Sequence, residues 1–201
     1  QRVADQCRES TIITVPQGEA SKSFKILETV LRQMLEFNMG RGDLVVAVGG
    51  GVVGDLAGFA AAIYMRGIDF INCPTTTLSM IDSSIGGKTA VDLGDTKNIV
   101  GAFWQPKLVI VDPDTLATLP RRHFINGLAE AVKASLLADP ELFAIFENGD
   151  VDAQIGEIIC RSLRFKKNIV EQDETEQGMR KALNFGHTIG HGIEAVKGIK
   201  G

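Results

Sequence analysis

Cysteine is scarce in this 201-residue chain and follows no pattern: Cys7, Cys73 and Cys160 are odd in number, far apart and never arranged as Cys-x-x-Cys. That excludes a disulfide framework and a thiolate metal site as organising features. No apolar run approaches the roughly 20 residues a membrane-spanning helix needs, and Gln1 to Ser10 is too polar and charged for a signal peptide. Charge is not massed either. With basic residues scattered and a formal net charge of -4, the chain offers no electrostatic footprint for nucleic acid or an anionic membrane. Internal repeats and low-complexity tracts are also missing. The expectation is a soluble, unexported protein of the reducing cytoplasm, in which any anionic ligand is held by local groups.

What is present reads as an ordinary globular chain, 44% hydrophobic and 23% charged, long enough for one large domain or two smaller ones. It lacks an initiator Met and stops at Gly201 in a lysine- and glycine-rich segment, so both ends are expected to be cut. Apolar, β-branched runs predict buried strands at Thr11 to Val15, Leu44 to Val48, Phe70 to Cys73 and Leu108 to Val111. Helical spacing of Ile26, Leu27, Val30, Leu31, Met34 and Leu35 predicts a helix over Ser21 to Phe37. This is the alternation of a parallel α/β sheet. After Val111 the strand signals cease, and helices are predicted over Arg121 to Ala138, from Pro140, and over Ala153 to Val170. The expected division is therefore 1–113, an α/β domain, and 114–201, an all-helical one.

Two glycine-rich segments invite phosphate. Strand Leu44 to Val48 runs into Gly49-Gly50-Gly51-Val52-Val53-Gly54-Asp55, followed by a helix-compatible stretch from Leu56 to Met65. Glycines let the backbone approach a ligand closely, and a helix N-terminus presents free N–H groups to a pyrophosphate. The acid that usually ends the next strand of a dinucleotide fold is missing, however, because the only candidate, Asp69, precedes that strand. A purely structural turn remains open on the spacing. Gly86-Gly87-Lys88-Thr89 resembles the end of a triphosphatase loop, but Asp82 stands where that loop requires its first glycine. Lys88 is left as either a phosphate contact or a solvated surface lysine.

His187 and His191 stand at i and i+4, so a helix would put both imidazoles on one face, extended by Arg180 and Asn184. That face suits a metal, a polyanion or plain solvent. Glu130 sits among small apolar neighbours one turn before Lys133. Either the two form a simple ion pair, or Glu130 binds a metal with His187 while Lys133 and Lys166 face a substrate anion. His123, beside Arg121 and Arg122, is read as structural or solvent-facing.

Pro16-Gln-Gly-Glu19-Ala-Ser-Lys22, the Gly49 to Asp55 turn, Tyr64-Met-Arg66-Gly67, Pro74-Thr75-Thr76, Asp82 to Thr89, Lys97-Asn98, Gly127-Leu-Ala-Glu130 and Asn184-Phe-Gly-His187-Thr-x-Gly-His191 stand in one order. Together they resemble the dehydroquinate synthase family of sugar phosphate cyclases over nearly the whole chain. The resemblance implies an NAD-binding parallel α/β domain followed by a helical metal- and substrate-binding domain. It implies Glu19, Lys22, Gly50, Gly51, Asp55, Thr75, Thr76 and Lys97 at NAD, with Glu130 and His187 on a divalent metal, zinc or another such as cobalt. Arg66, Asp82, Lys88, Lys133, Lys166, Arg180, Asn184 and His191 match the family's substrate and catalytic positions, which makes His191 a substrate-side group rather than a ligand. The family eliminates phosphate from a seven-carbon sugar phosphate in the shikimate route to aromatic amino acids. NAD there oxidises one ring hydroxyl transiently and is restored. A small-molecule substrate and a homodimer are implied. The family's third metal histidine and its first strand are expected to lie outside these 201 residues. Rival readings are another NAD- and metal-dependent cyclase, a polyol dehydrogenase of the same fold, or an NAD-binding module without chemistry.

Overall fold

The computed structural model describes residues 3–194. In chain order they form α1 (Phe24–Glu36), β1 (Leu44–Gly49), α2 (Gly51–Ile63), β2 (Asp69–Pro74), β3 (Lys88–Leu93), β4 (Thr96–Phe103), β5 (Leu108–Val109), α3 (Arg121–Ala138), α4 (Pro140–Asn148), α5 (Ile155–Gln172) and α6 (His187–Glu194), linked by short 3-10 turns and one π-helical turn at Ser79–Ser83. The first half is α/β and the second helical, as expected. Among the described residues no helix is long and apolar enough to cross a membrane.

β1, β2 and β5 form a parallel sheet in that order, with Val45 opposite Phe70 and Asn72 opposite Val109. Parallel neighbours need a crossover, which α2 supplies between β1 and β2. Ser23 caps α1 by accepting the Ile26 N–H at 3.5 Å, and Leu27, Val30 and Met34 on its buried stripe meet Leu56, Phe59, Ala60 and Ala61 of α2, Phe70 of β2 and Val91 of β3. A second core joins Phe124, Leu128 and Ala131 of α3 to Leu142 of α4 and Ile158 and Ile159 of α5. Fully burying a side chain of this size stabilises by about 1.5–3 kcal/mol, so two such clusters hold the halves. Met80 and Ile81 of the π-helical turn also belong to the second core. A segment between β2 and β5 of the sheet thus plugs the helical half.

Three expectations need correction, and one element was not foreseen. Thr11 to Val15 is extended but unpaired among the described residues: Ile13 and Val15 face the first core while Ile12 lies outside, so the period-2 pattern reflects packing, with no strand beside it to complete a ladder. Lys88 to Phe103 forms an antiparallel hairpin that the sequence reading passed over, although Gly94-Asp95 between Leu93 and Thr96 is a two-residue hairpin signal. The glycine turn itself opens α2, which begins at Gly51 rather than Leu56. Finally, Arg180 and Asn184 do not extend the face of His187 and His191, because Met179–Asn184 is a 3-10 turn and Gly186, at φ +83°, breaks the chain before α6.

Gly127 marks a close approach of backbone to backbone between the halves. A Cβ there would lie 2.2 Å from the Leu78 backbone nitrogen and 2.7 Å from the Thr77 carbonyl carbon. Backbone does not yield as a flexible side chain does, so Gly127→Ala is expected to destabilise the fold by roughly 1–3 kcal/mol, read as a lower urea midpoint at unchanged slope.

Candidate active site between the sheet and the helices

The glycine turn comes first along the chain. α2 starts at the C-terminal end of β1 with Gly50 as its cap and no side chain bonded across its first turn. Cβ atoms at Gly50 and Gly51 would come within 3.0 Å of Thr76 Cγ2 and 3.1 Å of Ser83 Oγ. The cradle is therefore bare backbone. Thr75 is held beside it by donating its N–H to Gly49 O at 2.9 Å, and Thr76 by a hydroxyl contact with Ser79 Oγ at 2.8 Å. One turn into α2, Asp55 Oδ2 accepts from the buried Lys22 Nζ at 2.7 Å; Lys22 also donates to Asn98 Oδ1 and lies 3.8 Å from Glu19. Burial lifts the Asp55 carboxyl above its ordinary value, outweighing the Lys22 ammonium.

The second group lies where the π-helical turn enters the helical half. Lys166 of α5 is 8% exposed, and its Nζ reaches Asp82 twice, at 2.7 Å to Oδ1 and 2.6 Å to the carbonyl oxygen. Burial alone would raise the Asp82 carboxyl, but the charges of Lys166, Lys133 and His187, with the Lys166 hydrogen bond, hold it below the ordinary carboxylate value. Burial likewise pulls Lys166 down, opposed by Asp82 and aided by Arg180 and Lys88. Lys133 pairs with Glu130 and donates to Leu183 O at 2.5 Å. The simple ion pair considered for Glu130 is thus formed, and it stands among the charges facing Asp82.

A third group straps the two halves together. Lys88, at the start of β3, is half exposed and donates to Glu176 Oε2 at 2.6 Å, while Glu176 Oε1 accepts from Asn184 Nδ2 at 3.0 Å. Burial pushes Glu176 up, but Lys88, Asn184 and Arg180 bring it below its ordinary value. Arg180 is 1% exposed, donates to Gly86 O at 2.8 Å and to Glu174 O, and lies 5.6 Å over the Phe103 ring. Its Nε has no hydrogen-bond partner among the described residues. Asp173 fixes the loop by accepting the N–H groups of Gln177, Gly178 and Arg180.

The structure therefore gathers Glu19, Lys22 and Asp55 beside Gly50, Gly51, Thr75 and Thr76, and Asp82, Lys133, Lys166, Glu130 and His187 around one carboxylate. Lys88, Arg180 and Asn184 share the strap. Arg66 stands apart: it is exposed, at φ +70°, with no hydrogen bond or ion pair among the described residues. Lys97 is exposed on β4. His191 lies on α6, but its side chain falls outside the described residues. Among the described residues no three His, Cys, Asp or Glu side chains cluster as a metal site. Sequence reasoning missed Glu176 and Glu174, whose only signal was the acidic run after α5, and missed Asn98 as the partner of Lys22.

Fold and site together define a parallel α/β unit with a glycine-capped helix, joined to a helical unit through a cluster of lysines and carboxylates. The family model described as 3-dehydroquinate synthase N-terminal matches residues 12–126, and that described as 3-dehydroquinate synthase C-terminal matches residues 127–201. The chain belongs to the 3-dehydroquinate synthase family. It is 49% identical over 192 residues to a 3-dehydroquinate synthase of Clostridium perfringens and 52% identical over 197 residues to one of Caulobacter vibrioides, covering 94% and 93% of this chain. It spans about half of those relatives, 55% and 52% of their lengths. Among solved structures, 2-epi-5-epi-valiolone synthase from Streptomyces hygroscopicus, with NAD+ and Zn2+ bound, superposes at TM-score 0.84 and 32% identity over 92% of this chain and 55% of that one. A 2-deoxy-scyllo-inosose synthase complexed with carbaglucose-6-phosphate, NAD+ and Co2+ follows at 0.81 and 33%, over 89% and 51%.

Because Lys166 is what chiefly opposes the burial of Asp82, Lys166→Met is expected to move the Asp82 carboxyl from below its ordinary value to above it, as followed by carbon-13 NMR. The stabilisation from ionised Asp82 is present above the ordinary carboxylate range and is lost as pH falls through its depressed folded value. In the variant this sign reverses: protonated Asp82 contributes stability below the ordinary carboxylate value, and that contribution is lost as pH rises through the raised folded value, so the Asp82 part of the unfolding free energy falls rather than rises with pH.

Proposed function

We propose that the whole protein is a 3-dehydroquinate synthase, which converts 3-deoxy-D-arabino-heptulosonate 7-phosphate to 3-dehydroquinate and phosphate in the shikimate pathway. One observation carries the reading: lysines from β3, α3 and α5 converge with Asp82, Glu130 and His187 close to a bare glycine turn. Such a cluster suits a substrate bearing both phosphate and carboxylate. Identity of 49–52% to 3-dehydroquinate synthases, against 32–33% to the two cyclases of other sugar phosphates, favours this member of the class. The same proposal includes division of the chain at 113/114, a homodimer and a cytoplasmic setting; the two family models meet a little later, at 126/127, inside α3.

NAD fits the first site. The uncapped start of α2 offers backbone N–H groups to a pyrophosphate, and a Cβ at Gly50 or Gly51 would crowd Thr76 or Ser83, which keeps that turn free of side chains. Glu19, Lys22, Gly50, Gly51, Asp55, Thr75, Thr76 and Lys97 would hold it. Zinc, or another divalent ion such as cobalt, fits Glu130 and His187 by donor chemistry as two members of a ligand set. When bound, the nucleotide supplies reversible oxidation of one ring hydroxyl and the metal supplies Lewis-acid polarisation of that oxygen.

The chain's own residues then divide the remaining work. Lys88, Arg180 and Asn184 bind the substrate's anionic ends, with Lys88 and Asn184 exchanging Glu176 for substrate. Lys166 Nζ, kept positive between two Asp82 oxygens, and Lys133 Nζ present charge to the oxygen that becomes negative as a proton leaves. Asp82 holds the Lys166 ammonium, Glu130 and the Leu183 carbonyl hold that of Lys133, and Arg66, which stands apart from this cluster, and His191 are assigned to the substrate by the family resemblance alone.

The full-length protein is expected to release phosphate from the heptulosonate phosphate with NAD in catalytic amounts and no growth of absorbance at 340 nm. NADH accumulating in step with product would instead mark a polyol dehydrogenase. Lys88→Ala is expected to cost on the order of 1.5–3 kcal/mol in kcat/KM through a lost charged hydrogen bond, with NAD affinity by calorimetry unchanged. An equal loss of NAD affinity contradicts the assignment of Lys88.

A further inference from the structure

The β3–β4 hairpin carries an irregularity with a purpose. Its pairing runs Leu93 opposite Thr96, then jumps to Val91 opposite Val100. One residue of β3, Asp92, therefore faces three of β4, Lys97, Asn98 and Ile99. Bulges of this kind recur beside functional sites because they re-aim a side chain. Here the apex is Asn98, a non-glycine residue at φ +55°, and its Oδ1 accepts from the buried Lys22 Nζ. Asn adopts the left-handed region more readily than most residues, and a contact to its backbone fixes the apex in place.

Asp92 provides it. Its Oδ1 accepts the Asn98 backbone N–H at 2.8 Å, and its own N–H donates to the Lys22 carbonyl at 2.7 Å. A lone bridge between Ser23 and Asp92 joins the same two segments. Asp92 also lines, with Glu19, Lys22, Ser23 and Phe24, a cavity of about 380 Å³ between the hairpin tip and the turn before α1. Asp92 thus holds the bulge by its carboxylate and the Lys22 backbone by its N–H, next to the lysine on which Asp55, Asn98 and Glu19 converge.

We propose that Asp92 is a positioning residue for the dinucleotide site, acting through Asn98 to set the place and charge environment of Lys22. The inference rests on reading that site as the NAD site. Only the side-chain contact depends on residue type, since the Asp92 N–H survives any substitution but proline. Asp92→Asn keeps an oxygen acceptor for the Asn98 N–H; Asp92→Ala removes it.

The test is NAD+ titration by calorimetry on the full-length protein, with thermal midpoints and amide hydrogen exchange at Asn98 recorded in parallel. Asp92→Ala is expected to weaken NAD+ at least tenfold, to speed exchange at Asn98 and to leave the midpoint within a few degrees of the parent. Asp92→Asn should stay within about threefold of the parent in affinity. Asn98→Ala should weaken NAD+ comparably, and adding Asp92→Ala to it should bring little further loss. Unchanged affinity in Asp92→Ala overturns the proposal, as does a full additional loss in the double variant, or an affinity loss accompanied by a collapsed midpoint while Asn98→Ala binds normally. A parent protein that binds no NAD+ sinks the reading of the site itself, which separates the two failures.

Discussion

The contact between Asp82 and Lys166 is the constraint around which the rest of the structure is arranged. It joins the turn after β2 to a buried lysine of α5, where surrounding protein makes a lone charge expensive. Each opposes the effect of burial on the other. The neighbours Met80 and Ile81 are buried in the helical core, so the turn is anchored by apolar packing on one side and by the ion pair on the other. That double hold explains why backbone approaches backbone so closely at Gly127 and Thr77–Leu78. A larger residue at 127 would push apart the two surfaces that present the charges.

Around this anchor the chain accepts local strain where polar groups must be aimed. Asn98 and Glu176 both adopt positive φ without being glycine, and each places its side chain on a buried or half-exposed lysine from a distant part of the chain. Conformations of this kind persist when the surroundings over-determine them. For Glu176 the surroundings are the Asp173 carboxylate, which gathers three backbone N–H groups, and Arg180, pinned between Gly86 O and Glu174 O. Arg180 is buried with one unpartnered nitrogen, at the point where an anion arriving near Lys88 would be felt.

Electrostatically, the two halves of the site differ. Burial dominates at Asp55, whose carboxyl is raised despite a lysine at 2.7 Å, whereas several cations outweigh burial at Asp82. The first arrangement leaves room for a polar but shared ligand over a glycine-capped helix. The second concentrates positive charge on one carboxylate, and an incoming anion competes for those same cations.

Much of this was legible before any coordinates. The strands Leu44 to Val48 and Phe70 to Cys73, the glycine turn between strand and helix, and the helical second half follow from local apolar periodicity and turn chemistry, which a single stretch of chain carries by itself. The motif order identified the family, and the candidate residues were named from it. What the sequence could not hold was the pairing between distant segments. Whether Thr11 to Val15 joins a sheet depends on a neighbour, not on its own alternation. The break at Phe185–Gly186 turned one imagined helical face into a 3-10 turn and a separate helix. Glu176 meets Lys88 across 88 positions and Asn98 meets Lys22 across 76. Such contacts arise only when tertiary packing brings remote charges together and burial makes leaving them unpaired too costly, a term with no counterpart in local sequence.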